Sequence, residues 1–319
     1  MCTAVSFNFS NRLFARTLDL DSSYGEEVIF TPRGFRLEFK HGAAMSEHYA
    51  ILGAGKIFDG TPLYFDAFNE AGLAAAALNF PTRAAYFAKK EGRVNVASYE
   101  LIGFVLSRCA NLSEAKGLLS TVNITEDAFS EDLPTTPLHW IISDKTGAVT
   151  LESTESGVKV YENPVGILTN SPEFSYHIAH LSDFLRLDSV PPENEIYPSA
   201  ELSRYSGGLG AMGLPGDFSS SSRFVRAVFL KGHSLGDNIS HAFHVMENIS
   251  VPKGAVIKEN GKPFFTVYTS VADMNERVYY FTTAESRRIR AVKMNDALMD
   301  TERLASFSMS EEEKIYYVN

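Results

Sequence analysis

The sequence predicts an α+β fold in which grouped strands and blocks of helices form the layers of a single domain over residues 1–319. Short apolar or alternating runs, separated by turn residues, fill the first third of the chain, and a second group of such runs begins at residue 138. Helix-period segments stand in blocks between the strand groups, whereas a doubly wound parallel sheet would alternate single strands with single helices. We find no repeat or linker that divides the chain.

The first third contains six predicted strands, bounded by turns such as Pro32-Arg33-Gly34 and Asp59-Gly60. Their sequences are CTAVSFNF, RLFARTLD, EVIFTP, YAILGAG, PLYFDAFN and GLAAAALNF. Two helices are predicted next, over 98–110 and about 113–122. Ser113 is the expected N-cap of the second helix because a serine oxygen can accept from the first free backbone N–H groups.

The second half begins with three more predicted strands, and a helix follows at about 174–186. The strand sequences are LHWIIS, AVTLES and VKVYEN. An irregular stretch rich in Gly, Pro and Ser covers 189–220, and helices are predicted at about 221–232 and 238–249. Three late strands, PFFTVYTSV, RVYYFTT and IRAVKM, can complete the sheets that the N-terminal strands begin.

Composition and charge exclude several classes of partner. The net charge of −10 and the pI near 5.3 argue against nucleic acid or an anionic membrane surface as a general partner. No apolar run reaches the length of a signal-peptide core or a membrane span, so we expect a cytoplasmic protein. The two cysteines suit a reducing compartment without a structural disulfide, and Cys109, in an apolar helix-period stretch, is expected to be inert core.

Two motifs could suggest a cofactor or a metal, and we expect neither. The run GLGAMG from Gly208 fits the dinucleotide fingerprint but lacks the preceding buried strand and the following helix, so we interpret it as a loop shaped over a site. The pairs His177/His180 and His241/His244 have i,i+3 spacing but no third ligand nearby, which favours solvated or core histidines.

Cys2 is the most informative residue of the sequence. Initiator methionine is normally removed before a residue as small as Cys, which would place a thiol and a free α-amine on one residue. The α-amine titrates near about 8, so it could act as an internal base. If the first two strands form a hairpin, Arg16 and Asp19 return beside Cys2, where they could stabilise a thiolate and hold the amine. A buried small hydrophobe and an ordinary charged strand end are the alternatives.

Six blocks of the sequence together resemble one enzyme family. They are MCTAVSF, ARTLDLDSSYGEEVIFTPRGF, YFDAFNEAGLAAAALNFP, LHWIISDKTG, VGILTNSPEF and GLPGDFSSSSRFVRAVF. In this order they resemble the choloylglycine hydrolases, which comprise bile salt hydrolases and penicillin V acylases, from residue 1 to about 295. The resemblance implies an N-terminal-nucleophile (Ntn) hydrolase fold, a four-layer αββα sandwich with two antiparallel sheets.

The resemblance also implies roles for single residues. Cys2 is the expected nucleophile, with its freed amine as proton shuttle, and Arg16 and Asp19 match an Arg-Asn-x-Asp block. Asn79 matches the position whose backbone N–H binds the oxyanion. The remaining matches are a second active-site amide, Asn170, and the active-site arginine, Arg223. Thr17 and Ala15 depart from the usual Asn and Gly, so a small shift in site geometry is expected.

For substrate and assembly, the resemblance implies conjugated bile salts, no cofactor and a homotetramer. Asn79 favours bile salts because the branch that prefers penicillin V tends to carry Tyr there. The expected pocket-lining residues, whose alternative is ordinary core, are Leu18, Tyr24, Phe58, Phe129 and Leu133. A penicillin V or N-acyl-homoserine-lactone acylase is the alternative activity, and a non-catalytic homologue is the remote one.

Overall fold

The computed structural model describes residues 1–8, 12–193, 199–200 and 202–319. Its strands are β1 (Cys2–Asn8), β2 (Arg12–Leu20), β3 (Glu27–Thr31), β4 (Ile51–Phe58), β5 (Thr61–Asn69), β6 (Ala74–Asn79), β7 (Val94–Ala97), β8 (Val122–Thr125), β9 (Leu138–Asp144), β10 (Gly147–Thr154), β11 (Gly157–Glu162), β12 (Ile167–Leu168), β13 (Val256–Ile257), β14 (Pro263–Asp273), β15 (Val278–Thr283), β16 (Ser286–Lys293) and β17 (Ala305–Ser308). Its α-helices are α1 (Leu101–Arg108), α2 (Leu112–Leu119), α3 (Phe174–His180), α4 (Ser220–Gly232), α5 (Ile239–Glu247) and α6 (Asp296–Met299).

Two large antiparallel sheets form the centre of the fold. The first sheet has the order β12-β1-β2-β14-β15-β16, with β13 beside β14. The second sheet has the order β11-β10-β9-β6-β5-β4-β3-β17, and β7 and β8 form a separate parallel pair. The late strand β14 pairs with β2, which confirms that the C-terminal strands complete the sheet begun at the N-terminus.

The layers follow the order helix, sheet, sheet, helix. Helix α4 packs on β1 and β12 and α5 packs on β2 and β14, so both cover the first sheet. Helices α1 and α2 cover the second sheet through β5 and β10, and β1 contacts β6 and β10 between the sheets. Apolar side chains between the layers form two buried clusters. One contains Phe68 and Phe224, and the other contains Val105 and Trp140. This is the predicted αββα sandwich.

Three predicted helix boundaries are wrong. The segment 98–110 is a 3-10 turn over Ser98–Glu100 followed by α1, which ends at Arg108 because Cys109 has extended backbone. The second helix begins at Leu112 because the side chain of Asn111 accepts from Glu114 N, so Ser113 lies inside it.

The third wrong boundary is that of the segment predicted as a helix over 174–186, which is α3 followed by a 3-10 turn over Leu181–Phe184.

The glycine-rich run falls partly in a 3-10 turn over Gly207–Ala211. A Cβ at Gly210 would lie 2.3 Å from the carbonyl oxygen of Val190. Close packing of two loop segments therefore explains that glycine.

Candidate active site

Cys2 is the first residue of β1 and lies directly opposite Leu18 of β2. Because β1 is hydrogen-bonded to β12 on one side and to β2 on the other, the backbone of Cys2 is held at the end of an interior strand. Its side chain is 3% exposed. The hairpin also confirms that Arg16 and Asp19 return to this end of the sheet, where backbone hydrogen bonds join Asp19 to Met1.

Arg16 contacts the Cys2 sulfur through one end of its guanidinium. Nη2 donates to Cys2 Sγ at 3.3 Å and to the carbonyl oxygen of Ala77 at 3.0 Å, and Nη1 lies 3.3 Å from Asp66 Oδ1. Burial by itself lowers the pKa of Arg16, but the negative charges that it faces outweigh burial and raise that pKa. A permanent cation against a thiol stabilises the thiolate, which is the nucleophilic form of cysteine.

Asn170 organises the other side of Cys2 from the loop after β12. Its Oδ1 accepts from Cys2 N and from Arg223 Nη2, both at 2.7 Å. Its Nδ2 donates to the carbonyl oxygen of Asn79 at 2.7 Å, which joins the loop to the end of β6 in the second sheet. The amide therefore has one orientation, with its oxygen toward the nitrogen of Cys2.

Arg223 projects from α4 and is fully buried. Its Nη1 donates to the carbonyl oxygen of Cys2 and to Thr3 Oγ1, both at 2.6 Å, and Nε donates to the carbonyl oxygen of Phe218 at 3.0 Å. Burial lowers its pKa, although Asp19 and Cys2 oppose that shift. Arg223 thus holds the backbone of Cys2, whereas Arg16 contacts its sulfur.

Asp19 is completely buried, and one of its carboxylate oxygens is satisfied. Oδ1 accepts from Thr266 Oγ1 at 2.7 Å, whereas Oδ2 has no hydrogen-bond partner among the described residues. The amine of Met1 donates to the carbonyl oxygen of Asp19 at 3.3 Å, and burial lowers the pKa of that amine. A buried, unpartnered carboxylate oxygen beside the chain start is suited to a cation there.

The profile of one protein family matches residues 2–307: linear amide C–N hydrolases, choloylglycine hydrolase family. The chain belongs to this family. It is therefore an amidohydrolase by descent.

Relatives of the choloylglycine hydrolase family match the whole chain. The bile salt hydrolase/transferase of Lactiplantibacillus plantarum is 39% identical over 100% of both chains. A C2A variant of conjugated bile acid hydrolase from Clostridium perfringens has a TM-score of 0.94 at 32% identity, covering 100% of both chains. Penicillin V acylase from Agrobacterium tumefaciens shares the fold, with a TM-score of 0.76 at 22% identity over 97% of this chain and 92% of its own.

Three residues that the sequence interpretation missed support the site. Asp66 binds Arg16, as described above. The Ser220 hydroxyl bonds both the N–H and the carbonyl oxygen of Asn170 at 2.8 Å, and His177 Nε2 donates to that same oxygen at 2.8 Å. An acidic residue within the otherwise apolar β5 run could have signalled Asp66, because a buried carboxylate needs partners.

Thr17, which stands where the family usually has Asn, forms a hydrogen bond between the first two strands. Its hydroxyl accepts from Thr3 N at 3.2 Å, so a threonine here ties β2 to β1 next to Cys2.

The five predicted pocket residues lie at the ends of strands and in neighbouring loops. Leu18 is buried opposite Cys2, Tyr24 is 60% exposed, and the rings of Phe58 and Phe129 lie 6.1 Å apart. Leu133 closes a turn with Ser130. A cavity of about 610 Å³, lined by Arg33 and other residues, includes none of the five. Their binding role stays a prediction.

Neither a metal cluster nor a membrane-spanning helix is found among the described residues. No three His, Cys, Asp or Glu side chains among them converge as a possible metal site. In the same part of the chain, no helix is long and apolar enough to cross a membrane.

Because His177 is buried, we expect it to make the stability of the folded protein depend on pH. Burial lowers its pKa from the usual 6.5, and its buried Nδ1 has no hydrogen-bond partner among the described residues. Below about pH 6.5 the unfolded chain therefore binds a proton that the folded chain refuses. We expect the free energy of unfolding to fall as the pH drops from about 6.5, by at most about 1.4 kcal/mol per pH unit.

Urea titrations between pH 4.5 and 7.5 measure this effect. His177→Gln, which keeps a donor for Asn170, should flatten the slope, whereas His244→Gln at an exposed position should not. Parallel slopes for the wild type and His177→Gln would contradict the prediction.

Proposed function

We propose that this protein hydrolyses the amide bond of glycine- or taurine-conjugated bile salts through a thioester on Cys2. The observation that carries the proposal is the hydrogen bond from Arg16 to the sulfur of Cys2, at the position that removal of Met1 makes N-terminal. Relatives that match the whole chain and are named bile salt hydrolases support the choice of substrate.

The reaction begins when the Cys2 thiolate attacks the amide carbonyl carbon. The tetrahedral oxyanion that results takes a hydrogen bond from the backbone N–H of Asn79. The C–N bond then breaks as the α-ammonium of Cys2 protonates the leaving nitrogen of glycine or taurine. Water attacks the thioester with the α-amine as base, which releases the bile acid and restores the thiol.

The amine that this reaction needs has a prepared site. Asn170 Oδ1 already accepts from the nitrogen of Cys2, and the unpartnered Oδ2 of Asp19 lies in the buried space near the chain start. Once Met1 is removed, that nitrogen becomes an ammonium, and these two oxygens can orient its protons. Arg223 holds the adjoining carbonyl oxygen of Cys2, so the ammonium cannot rotate out of the site.

A substrate panel tests the proposed specificity. We expect glycocholate and taurocholate to be cleaved with a higher kcat/KM than penicillin V or an N-acyl-homoserine lactone. Free glycine or taurine and the released phenoxyacetate or fatty acid are measured side by side by mass spectrometry. A clear preference for penicillin V would replace the bile salts with the alternative acylase activity.

Removal of Met1 is a separate prediction. With Met1 present, the nitrogen of Cys2 is an amide that can neither accept nor donate the reacting proton. We therefore expect kcat per chain to rise in proportion to the processed fraction when expression is varied with and without added methionine aminopeptidase. Intact mass gives that fraction, and full activity in chains that retain Met1 would exclude the α-amine as proton shuttle.

The proposal also includes a homotetramer, which the family resemblance implies, and a cytoplasmic location, which the sequence suggests. Light scattering coupled to size-exclusion chromatography tests the first, with an expected mass four times the 35.2 kDa of one chain.

A further inference from the structure

Asp66 lies on β5 in the second sheet, with its side chain in the space between the two sheets. It is 2% exposed, and its carboxylate accepts from four side chains of the first sheet. Oδ1 accepts from the hydroxyl of Tyr268 and from Arg16 Nη1, and Oδ2 accepts from Ser270 Oγ at 3.0 Å and from the hydroxyl of Tyr279 at 2.6 Å. We call these residues, with Asp66 at their centre, the carboxylate cage.

The cage is suited to an ionised carboxylate. Four donors fill the acceptor positions of its two oxygens, and an ionised carboxylate only accepts hydrogen bonds. Burial raises the pKa of Tyr268 and of Tyr279 well above the usual value for tyrosine, so both hydroxyls keep their protons and donate. The donors come from β2, β14 and β15, and the cage therefore ties three strands of one sheet to one strand of the other.

Arg16 connects this cage to the nucleophile. Its Nη1 is held by Asp66, and its Nη2 donates to the sulfur of Cys2 and to the carbonyl oxygen of Ala77. One guanidinium thus stands between two groups that can carry negative charge, the carboxylate of the cage and the sulfur of Cys2. A change at Asp66 alters both where the guanidinium lies and how much of its charge acts on the sulfur.

From this geometry we infer that Asp66 is a positioning residue for the reaction. It clamps Arg16 so that Nη2 faces the sulfur of Cys2, and it shares the charge of Arg16 so that the thiolate is not stabilised too strongly. The second effect matters because a thiolate becomes a weaker nucleophile as it is stabilised. The inference rests on the proposed role of Cys2 as nucleophile.

Other charged groups also face Cys2, and they have to be distinguished from Asp66. Asp19 and the chain-start amine lie on one side of it, and Arg223 binds its carbonyl oxygen from α4. In the described part of the chain, Arg16 is the charged side chain that hydrogen-bonds to both Asp66 and the sulfur. The hydrogen-bonded route from Asp66 to the thiol therefore passes through Arg16, and it acts beside the direct Coulomb repulsion between the carboxylate and the thiolate.

Two substitutions distinguish the hydrogen bonds by which Asp66 holds Arg16 from the negative charge of Asp66. Asp66→Asn can keep an oxygen for Arg16 and Tyr268 while its amide donates to the hydroxyls of Ser270 and Tyr279, so it removes charge and preserves contacts. Asp66→Ala removes both. Asp144→Asn is the matched control, because Asp144 is also buried but, among the described residues, accepts from Leu112 and Thr146, outside the site.

The measurement is the rate of Cys2 alkylation by iodoacetamide against pH, followed by peptide mass, together with kcat and KM. For Asp66→Asn we expect the pH at which alkylation reaches half of its maximal rate to fall by about one unit, because the full charge of Arg16 then acts on the sulfur. For Asp66→Ala we expect a move to higher pH, and kcat to fall on the order of tenfold or more with little change in KM, because Arg16 is no longer held.

Shifts of opposite sign support the inference, since a merely structural role of Asp66 would move neither profile. Wild-type alkylation profiles in both folded variants, or two shifts of the same sign, would overturn it. If Asp66→Ala does not fold, the sign of the Asp66→Asn shift decides alone. Alkylation requires no substrate, so failure of the wild type to cleave bile salts would reject the proposed function and leave this test intact.

Discussion

Cys2→Ser lowers kcat/KM by on the order of 10³-fold or more while the protein keeps its fold. A serine hydroxyl is far harder to ionise than a thiol, so the contact with Arg16 no longer supplies a nucleophile. The side chain changes by one atom in a site whose backbone is held by two neighbouring strands and by Arg223. Steady-state hydrolysis of glycocholate and thermal unfolding measure the two quantities.

Cys109→Ser is the matched control, because Cys109 is the other cysteine and is equally buried. Burial raises the pKa of its thiol to about 11, so it is un-ionised at neutral pH and should resist alkylation. We expect Cys109→Ser to retain wild-type turnover. Unchanged turnover in Cys2→Ser would instead support a non-catalytic homologue.

Arg16→Gln should damage both activity and stability. Loss of the cation beside the sulfur removes the group that favours the thiolate, and we expect turnover to fall by on the order of 10²-fold. Because the carboxylate of Asp66 then lies buried without its cation, we expect the free energy of unfolding to drop by about 3–5 kcal/mol. Urea unfolding and steady-state kinetics on the same preparation measure both effects.

The double variant Arg16→Gln/Asp66→Asn separates the two effects of that substitution. It removes both buried charges, so stability should recover in large part while turnover stays low. Arg108→Gln is the control, because this half-buried guanidinium stacks on Phe104 far from Cys2 and should leave turnover unchanged. Full turnover in the double variant would show that Arg16 does not activate the thiol.

The sequence could predict those parts of the site that depend on neighbouring strands. A hairpin of period-2 strands is enough to bring Arg16 and Asp19 back to Cys2, because the register of two adjacent strands is fixed by the turn between them. The α+β class was likewise predictable from the grouping of strands, whereas the four-layer sandwich was expected only from the family resemblance. The helix ends at Cys109 and Asn111 were not, since they depend on single backbone conformations and caps.

Long-range partners were accessible only through family resemblance. Asn170 and Arg223 are 168 and 221 residues from Cys2, and no periodicity predicts such contacts. Asp66 and His177 were missed for a related reason. Alternation and helical spacing predict which face of a strand or helix a residue occupies. The residues that it contacts on that face belong to another sheet or helix, and the pattern does not identify them.

The wide separation in sequence of these contacts has a consequence for how the enzyme acquires activity. The hydrogen bonds around Cys2 close chain segments of 14, 168 and 221 residues, and the contact between Arg16 and Asp66 closes one of 50. Contacts between distant parts of a chain form slowly because a large loss of chain entropy precedes them. During refolding, helices and hairpins will therefore appear well before the first turnover. Regain of catalysis reports the final docking of the two sheets.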